Sequence, residues 1–355
     1  MENRLRNTSF DLFKGISCIA VVLIHYSFTQ SLETLGHAIT ALCKFAVPVF
    51  FAISGYYLSS DQHIPDERVL RKIRHILKLI LASACFYAVF CLIWNSFYIK
   101  DFTVAAYQTN KLHAGRIVKL FLTNDPIVYP HLWFLLALLY CYTTVLFLFK
   151  QGKRSMLYCS LTPFLMFGMI LLQEFSHIVP IKNSVRIPES DQMLWFYNLF
   201  IFRALPFFMF GMLCRIKQES IRTLPGSLWS WLLVAALGCC CAVAERFTLG
   251  KSCQFFIGSY ITFFAIMIIS IKYPTLNQPV LTFIGRELSL YIYILHIAIG
   301  KTYDLVASHY NLWKKPLYFF TRPLVVVVGS LLVALLLRSI MQITKKLSTR
   351  IRIAH

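Results

Sequence analysis

The sequence predicts an all-α fold, namely a polytopic membrane protein whose single bundle holds about ten transmembrane helices. Composition is the first reason, because 58% of the residues are hydrophobic and only 14% are charged. Soluble globular domains carry roughly 25% charged residues. The second reason is that apolar runs recur at close to the length of about 20 residues that a helix needs to cross a hydrocarbon core.

Ten apolar runs have the length of a membrane-spanning helix or come near to it. The predicted spans are residues 11–29, 38–58, 76–97, 132–149, 157–173, 196–214, 228–244, 255–271, 283–302 and 319–341. No polar stretch between them is long enough for a soluble domain. We therefore expect a single transmembrane domain over residues 1–355, with a basic tail over residues 342–355.

The first run follows Arg4 and Arg6 and in this respect resembles the start of a signal peptide. However, no small-residue cleavage site follows it, and Asp11, Lys14 and His25 interrupt its apolar character. We therefore expect it to be retained as the first helix.

The distribution of basic residues predicts the orientation. With a cytoplasmic N-terminus, the inner segments hold 18 lysines and arginines and the outer loops hold 11. This asymmetry follows the positive-inside rule and places both termini in the cytoplasm, with the bundle in the cell membrane. Basic loops that face an anionic leaflet also account for the net charge of +20. Because no nucleic-acid-binding motif is present, we expect no nucleic-acid partner.

The 11 cysteines lack the spacing of metal ligands. Most lie inside the apolar runs, including the consecutive Cys239, Cys240 and Cys241. We interpret them as small packing residues and expect no metal site.

Ionisable residues inside the runs are the candidates for chemistry, because such groups are costly in a membrane. Lys14 and His25 are eleven residues apart on the first run, which is roughly 16 Å of helix. The lysine is thus expected near the inner surface and the histidine in the outer half. His296 lies at a similar depth in the ninth run, so we expect the two imidazoles to face one shared cavity.

Structural explanations remain open for several of these residues. A membrane histidine can simply hydrogen-bond a neighbouring carbonyl or hydroxyl group. Asp11 and Lys14, three residues apart at a helix start, can form an interfacial ion pair. Glu174 and Glu245 come near the outer ends of predicted helices, where ordinary caps are common.

Three arginines indicate two further candidate sites, one inside the membrane and one at its inner surface. Arg203 lies well inside its run, where a guanidinium group is expected to need a carboxylate or phosphate partner. Arg71 and Arg74 come before the third run and share one helix face. Paired guanidinium groups suit phosphate oxygens, although topology alone also favours basic residues here.

These motifs together resemble the membrane acyltransferase-3 family, whose members acylate exported glycans and related acceptors. The resemblance covers almost the whole chain. The segments that carry it are Asp11, Lys14 and His25; Val-Pro-Val-Phe-Phe-Ala-Ile-Ser54-Gly55; Arg71 and Arg74; His131-Leu-Trp133; Arg203-Ala-Leu-Pro-Phe-Phe-Met-Phe-Gly211; and Ser289-Leu-Tyr291-Ile-Tyr-Ile-Leu-His296. Lys14 stands at a position where arginine is commoner in the family. Lysine keeps the positive charge of arginine but lacks its bidentate fork.

The resemblance implies a transfer between two compartments. Acyl-CoA, usually acetyl-CoA, would approach from the cytoplasm as a cosubstrate rather than as a bound cofactor. A hydroxyl group of an exported or lipid-linked polysaccharide would accept the acyl group from the outer side. His25 would act as general base or as a transient acyl carrier.

The site residues that follow from the resemblance form three groups. The catalytic group is His25, His296 and Glu245. The donor-binding group is Lys14, Arg71, Arg74, Asp11 and Ser54. The acceptor-side group is His131, Trp133, Glu174, Arg203 and Tyr291.

Two other functions remain open at this point. A transporter or flippase for a glycan or polyprenyl-linked sugar would also suit ten helices with buried histidine and arginine. Such a protein has no reason to bind coenzyme A. A regulatory module without activity is the third candidate. A homo-oligomer, the identity of the acyl group and the acceptor hydroxyl are also left open.

Overall fold

The computed structural model describes residues 6–59, 65–98, 120, 129–148, 161–173, 199–249 and 255–354. Over these ranges the chain forms helices and turns and contains no β-strand, which confirms the all-α class. The helices are α1 Thr8–His25, α2 Glu33–Leu42, α3 Ala46–Leu58, α4 Asp66–Tyr98, α5 Trp133–Leu148, α6 Thr162–Gln173, α7 Phe200–Arg203, α8 Leu205–Ile216, α9 Gln218–Arg222, α10 Leu228–Thr248, α11 Ile257–Lys272, α12 Pro279–Phe283, α13 Ser289–His309 and α14 Pro316–Ala354. A π-helical turn, Ile284–Leu288, joins α12 to α13.

Seven helical segments of the described residues are long and apolar enough to cross a membrane. They are Thr8–Gln30, Glu33–Leu58, Asp66–Ser96, Pro130–Phe147, Leu228–Thr248, Pro279–His309 and Pro316–Lys346. Leu205–Ile216 and Ile257–Lys272 are shorter apolar helices. The protein is therefore a multi-pass membrane protein, while the number of ten spans and the cytoplasmic termini stay predictions.

Two helices extend well beyond their predicted spans. α4 begins at Asp66, ahead of the predicted start at residue 76, and carries Asp66 and Glu67 in its first turn. Carboxylates at that position favour a helix start because they interact with the positive end of the helix dipole. α14 continues to Ala354, so the residues of the predicted basic tail that are described are helical.

The chain divides into two compact units. Unit 1 comprises Met1–Val49 and Arg222–His355, and unit 2 comprises Phe50–Ile221. The boundary falls within α3. The expectation of a single domain over residues 1–355 stays a prediction.

In unit 1, α1 packs directly on the backbone of the segment that precedes α13. A Cβ atom at Gly15 would overlap the carbonyl group of Leu281, and one at Gly285 would overlap the carbonyl group of Asp11. Glycines at both positions allow the two backbones to touch, as is common where membrane helices cross. The Asn7 side chain caps α1 by accepting from the Phe10 N–H at 2.9 Å. These contacts fix the helix that carries Lys14 and His25.

In unit 2, two of the sequence motifs meet through glycines in the same way. A Cβ atom at Gly55 in α3 would overlap the Phe208 carbonyl group, and one at Gly211 in α8 would overlap the Ala52 carbonyl group. Phe208 is fully buried beside them. The Ser-Gly motif of the second run and the Gly211 motif of the sixth are therefore packing features that bring α3 and α8 into backbone contact.

Candidate active site

The clearest candidate site in unit 1 is a pair of histidines from α1 and α13. The ring centroids of His25 and His296 lie 5.1 Å apart, with the ring planes inclined at 44°. His25 is the last residue of α1, and its side chain is exposed. His296 has no exposed surface. The structure thus brings together the two imidazoles that the sequence placed at a similar depth.

The contacts of His296 define which of its ring nitrogens carries a proton. Nδ1 lies 3.0 Å from the Ile292 carbonyl oxygen and 2.8 Å from that of Tyr293, both in its own helix. A carbonyl oxygen only accepts hydrogen bonds, so Nδ1 is the donor. In a neutral ring, Nε2 is then the basic nitrogen. The ring of His296 is held by its own backbone, whereas His25 is at the end of a helix.

At the other end of α1, Asp11 is the centre of an ionic cluster. It is 1% exposed, and its Oδ2 lies 2.5 Å from Nε of Arg6, whose Nη2 is 3.2 Å from Oδ1. Nζ of Lys14 lies 3.4 Å from the same Oδ1. The ion pair that the sequence left open for Asp11 and Lys14 is therefore present. Sequence reasoning missed Arg6, whose only signal was its spacing of five residues before Asp11.

Glu245 in α10 caps a neighbouring helix. Its Oε1 accepts from the backbone N–H of Gly258 at 3.1 Å, and the Cys241 thiol donates to the same oxygen at 2.9 Å. Gly258 lies in the first turn of α11, where N–H groups have no partner within the helix. The structure thus gives this carboxylate a cap on a different helix, where the sequence left open an ordinary solvated cap at the end of its own helix.

Tyr291 lies at the start of α13 and is directed toward α14. Its hydroxyl group donates to the Met341 thioether sulfur at 3.0 Å. The acceptor-side role of Tyr291 stays a prediction, and this contact gives it a packing role as well. Glu174, the remaining acceptor-side carboxylate, lies outside the described residues.

In unit 2, Arg203 meets an aromatic partner. Its guanidinium carbon lies 3.5 Å from the ring centre of Trp133, a cation–π contact. The sequence predicted a carboxylate or phosphate partner, and the tryptophan was not foreseen. The negative face of an indole attracts the delocalised charge of a guanidinium group. The carboxylate or phosphate partner of Arg203 stays a prediction.

His131 lies just before Trp133 and is 3% exposed. Its ring packs edge-on against Tyr87 at 4.8 Å and against Tyr129 at 5.6 Å. His131 thus contacts two tyrosines, and Trp133, two residues further along the chain, contacts Arg203.

The predicted donor-side residues of unit 2 are divided between the helix interior and the surface. The Ser54 hydroxyl group donates to the Phe50 carbonyl oxygen of its own helix at 2.8 Å. Arg71 and Arg74 are exposed and lie three residues apart on α4. Their guanidinium groups are therefore accessible to an anion, whereas the Ser54 hydroxyl group is engaged within α3.

Residues 7–339 match the model of a family described as an acyltransferase domain, so the match covers both histidines and almost the whole chain. The chain belongs to the acyltransferase-3 family. No curated protein and no solved structure matches it. This membrane acyltransferase requires an acyl donor and an acceptor, and family membership favours an enzyme over the transporter that the sequence left open.

Proposed function

We propose that this acyltransferase moves an acyl group, by default acetyl, from cytoplasmic acyl-CoA to a hydroxyl group of an exported or lipid-linked polysaccharide. The observation that supports this most is the His25 and His296 pair, with ring centroids 5.1 Å apart. An imidazole has an ordinary pKa of about 6.5 and can both take and return a proton near neutral pH. The protein is proposed to work in the cell membrane.

The proposed chemistry assigns the proton transfer to His25. Its imidazole takes the proton of the acceptor hydroxyl group while the hydroxyl oxygen attacks the thioester carbonyl carbon. The resulting tetrahedral intermediate collapses, the carbon–sulfur bond breaks, and the coenzyme A sulfur leaves with a proton from the imidazolium ion. His296 holds a fixed orientation through its own helix and serves as the neighbour against which His25 is placed.

A two-step route uses the same residues. In that route the imidazole of His25 attacks the thioester, carries the acyl group briefly, and passes it to the acceptor hydroxyl group. Burst kinetics with acyl-CoA alone would distinguish this route from direct transfer, because an acyl-enzyme releases one equivalent of coenzyme A before any acceptor is added.

The donor end of the proposal rests on exposed basic residues. Arg71 and Arg74 share one face of α4, where two guanidinium forks can bind the phosphates of coenzyme A. Lys14 is 23% exposed and already paired with Asp11, so we assign it a supporting electrostatic role at most. We assign no donor-binding role to the Ser54 hydroxyl group, because it is already hydrogen-bonded within α3.

The acceptor end of the proposal rests on His131 with its two tyrosine neighbours and on the contact between Trp133 and Arg203. Aromatic faces and guanidinium groups are suited to sugar rings, because they combine apolar contact area with hydrogen-bond donors. Glu245 is assigned to the cap of α11 rather than to proton transfer.

The experiment that tests the proposal is mass spectrometry of surface glycans from cells with and without the gene. We expect each acceptor glycan to gain the mass of an acyl group only when the gene is present. Purified protein should also release coenzyme A from acyl-CoA when membranes that carry the acceptor are added. Identical glycans in both strains, together with no release of coenzyme A, would refute the glycan acceptor and the acyl-CoA donor.

A further inference from the structure

Tyr26 joins α1 to α13 directly beside the histidine pair. It follows His25 in the chain, and its hydroxyl group donates at 3.1 Å to the carbonyl oxygen of Ile297, which follows His296. The tyrosine is 4% exposed. A Cβ atom at Gly300 would overlap its ring, so the ring rests on bare backbone. The register of the two helices is therefore fixed one residue from each histidine.

The position of His25 depends strongly on this contact, because α1 ends here. Tyr26 has left helical geometry, with φ −124° and ψ 79°, and its N–H makes the final bond of the helix, to Val22. Helix ends open more readily than helix interiors. His25 itself is exposed, and its ring contacts that of His296. Whatever holds Tyr26 also limits the movement of the imidazole of His25.

An ion pair between α13 and α14 also contacts Tyr26. Arg322 and Asp304 form two parallel bonds, with Nε to Oδ1 and Nη2 to Oδ2 both at 2.7 Å. The Tyr318 hydroxyl group donates to Oδ1 of the same carboxylate at 2.6 Å. The guanidinium carbon of Arg322 lies 4.8 Å from the ring centre of Tyr26. The ion pair therefore fixes the guanidinium plane that faces the tyrosine.

We propose that Arg322 and Asp304 are positioning residues for acyl transfer, which hold Tyr26 and through it keep the imidazole of His25 beside His296. The inference rests on the proposed role of His25. An ion pair within apolar membrane helices is costly, and its bidentate geometry favours a positioning role. The competing explanation is that the pair only fastens α14 to α13.

Arg322→Lys separates the two explanations, because lysine keeps the charge but loses the bidentate fork and the planar face. Arg338→Lys is the matched control. Arg338 lies on the same helix and pairs with Glu287 at 3.1 Å, and its side chain is 24% exposed, against 23% for Arg322. Tyr26→Phe is the second test variant, since it removes only the hydroxyl group that bonds Ile297.

Two readouts are measured on each purified variant. The first is hydrogen–deuterium exchange of the last turn of α1, which reports on how often the helix end opens and does not depend on activity. The second is kcat and KM for acyl-CoA. A displacement of about 1 Å can lower a catalytic rate by roughly 100-fold. We therefore expect Arg322→Lys and Tyr26→Phe to lower kcat by about 10- to 100-fold, with KM unchanged and faster exchange confined to this turn.

The outcomes are distinguishable from failure of the proposed function. If exchange rises while His25→Ala keeps full activity, Tyr26 is held as proposed and the role of His25 is wrong. If Arg322→Lys and Tyr26→Phe match the Arg338→Lys control in both exchange and kcat, the positioning role is overturned. Should Arg322→Lys fail to fold, Asp304→Asn, which removes the anionic partner of Arg322 at nearly constant shape, replaces it in the same two readouts.

Discussion

The imidazoles of His25 and His296 lie 5.1 Å apart, and their surroundings differ. His296 is buried and donates through Nδ1 to its own helix, whereas His25 is exposed at the end of α1. One ring is therefore fixed and the other is accessible. In the proposed reaction the accessible ring exchanges a proton with the acceptor, and the fixed ring defines where it does so.

The glycine contact between α1 and the segment before α13 predicts a packing defect. Gly15→Ala places a methyl group against the backbone carbonyl group of Leu281, and Gly285→Ala places one against the backbone carbonyl group of Asp11. Overpacking of this kind costs about 1–3 kcal/mol. We expect a lower midpoint of thermal unfolding in detergent for either variant. Gly168→Ala in α6, where a Cβ atom meets nothing within 4 Å, is the control and should not lower it.

The buried carboxylate of Asp11 predicts a large loss of stability when its charge is removed. Asp11→Asn removes the carboxylate that pairs with Arg6 and Lys14, and breaking a buried ion pair costs about 3–5 kcal/mol. Because Arg6 is more than half exposed, we expect about 3 kcal/mol or less, measured by chemical unfolding. Glu33→Gln is the control, since Glu33 is exposed and lies 3.9 Å from His37. An equal loss of unfolding free energy in Asp11→Asn and Glu33→Gln would contradict the conclusion that Asp11 is the centre of a stabilising ionic cluster.

The exposed Arg71 and Arg74 of α4 are expected to contribute to the affinity for acyl-CoA. Arg71→Ala and Arg74→Ala should each raise the Kd for acyl-CoA by about tenfold, since a hydrogen bond to a charged group contributes roughly 1.5–3 kcal/mol. The dependence of that Kd on ionic strength should weaken as well. Lys72→Ala, an exposed neighbour on another face of the helix, is the control. Titration of acyl-CoA at several salt concentrations measures both effects, and unchanged affinity in both arginine variants would leave them as topology determinants.

The cap formed by Glu245 predicts a separation between stability and activity. Glu245→Ala should cost about 1 kcal/mol of stability, as the loss of a helix cap does, because the N–H of Gly258 loses its acceptor. Glu245→Gln keeps an acceptor oxygen and should cost less. Acyl transfer per folded molecule should be retained in both variants. A loss of transfer in Glu245→Gln at full stability would return this carboxylate to the catalytic group.

Helix positions could be predicted from the sequence because apolar runs of membrane length have few alternatives. The predicted start of the third span was late, since charged residues lower the hydropathy of a segment that is nonetheless helical from Asp66. Helical rise along α1 and α13 predicted a similar depth for His25 and His296, and their ring centroids lie 5.1 Å apart. These inferences use only distances along the chain.

Contacts between distant segments could not be predicted in this way. The stacking of Arg203 on Trp133 depends on the packing of α7 against α5, and the position of Arg322 over Tyr26 depends on that of α14 against α1. Hydropathy places each helix in the membrane but does not choose its neighbours. The cap by Glu245 depends on the same kind of information, because Gly258 is thirteen residues away, in a different helix.

Acyl transfer by His25→Ala is the most direct test of the central claim. The substitution is compared with the unaltered protein and with His37→Ala, a histidine of α2 that lies outside the proposed site. Each protein is supplied with labelled acyl-CoA in membranes that contain the acceptor, and the label in the glycan fraction is measured. We predict a loss of about 100-fold or more for His25→Ala, as for the removal of a general base, and full transfer for His37→Ala. Transfer by His25→Ala at the rate of the unaltered protein would contradict the account.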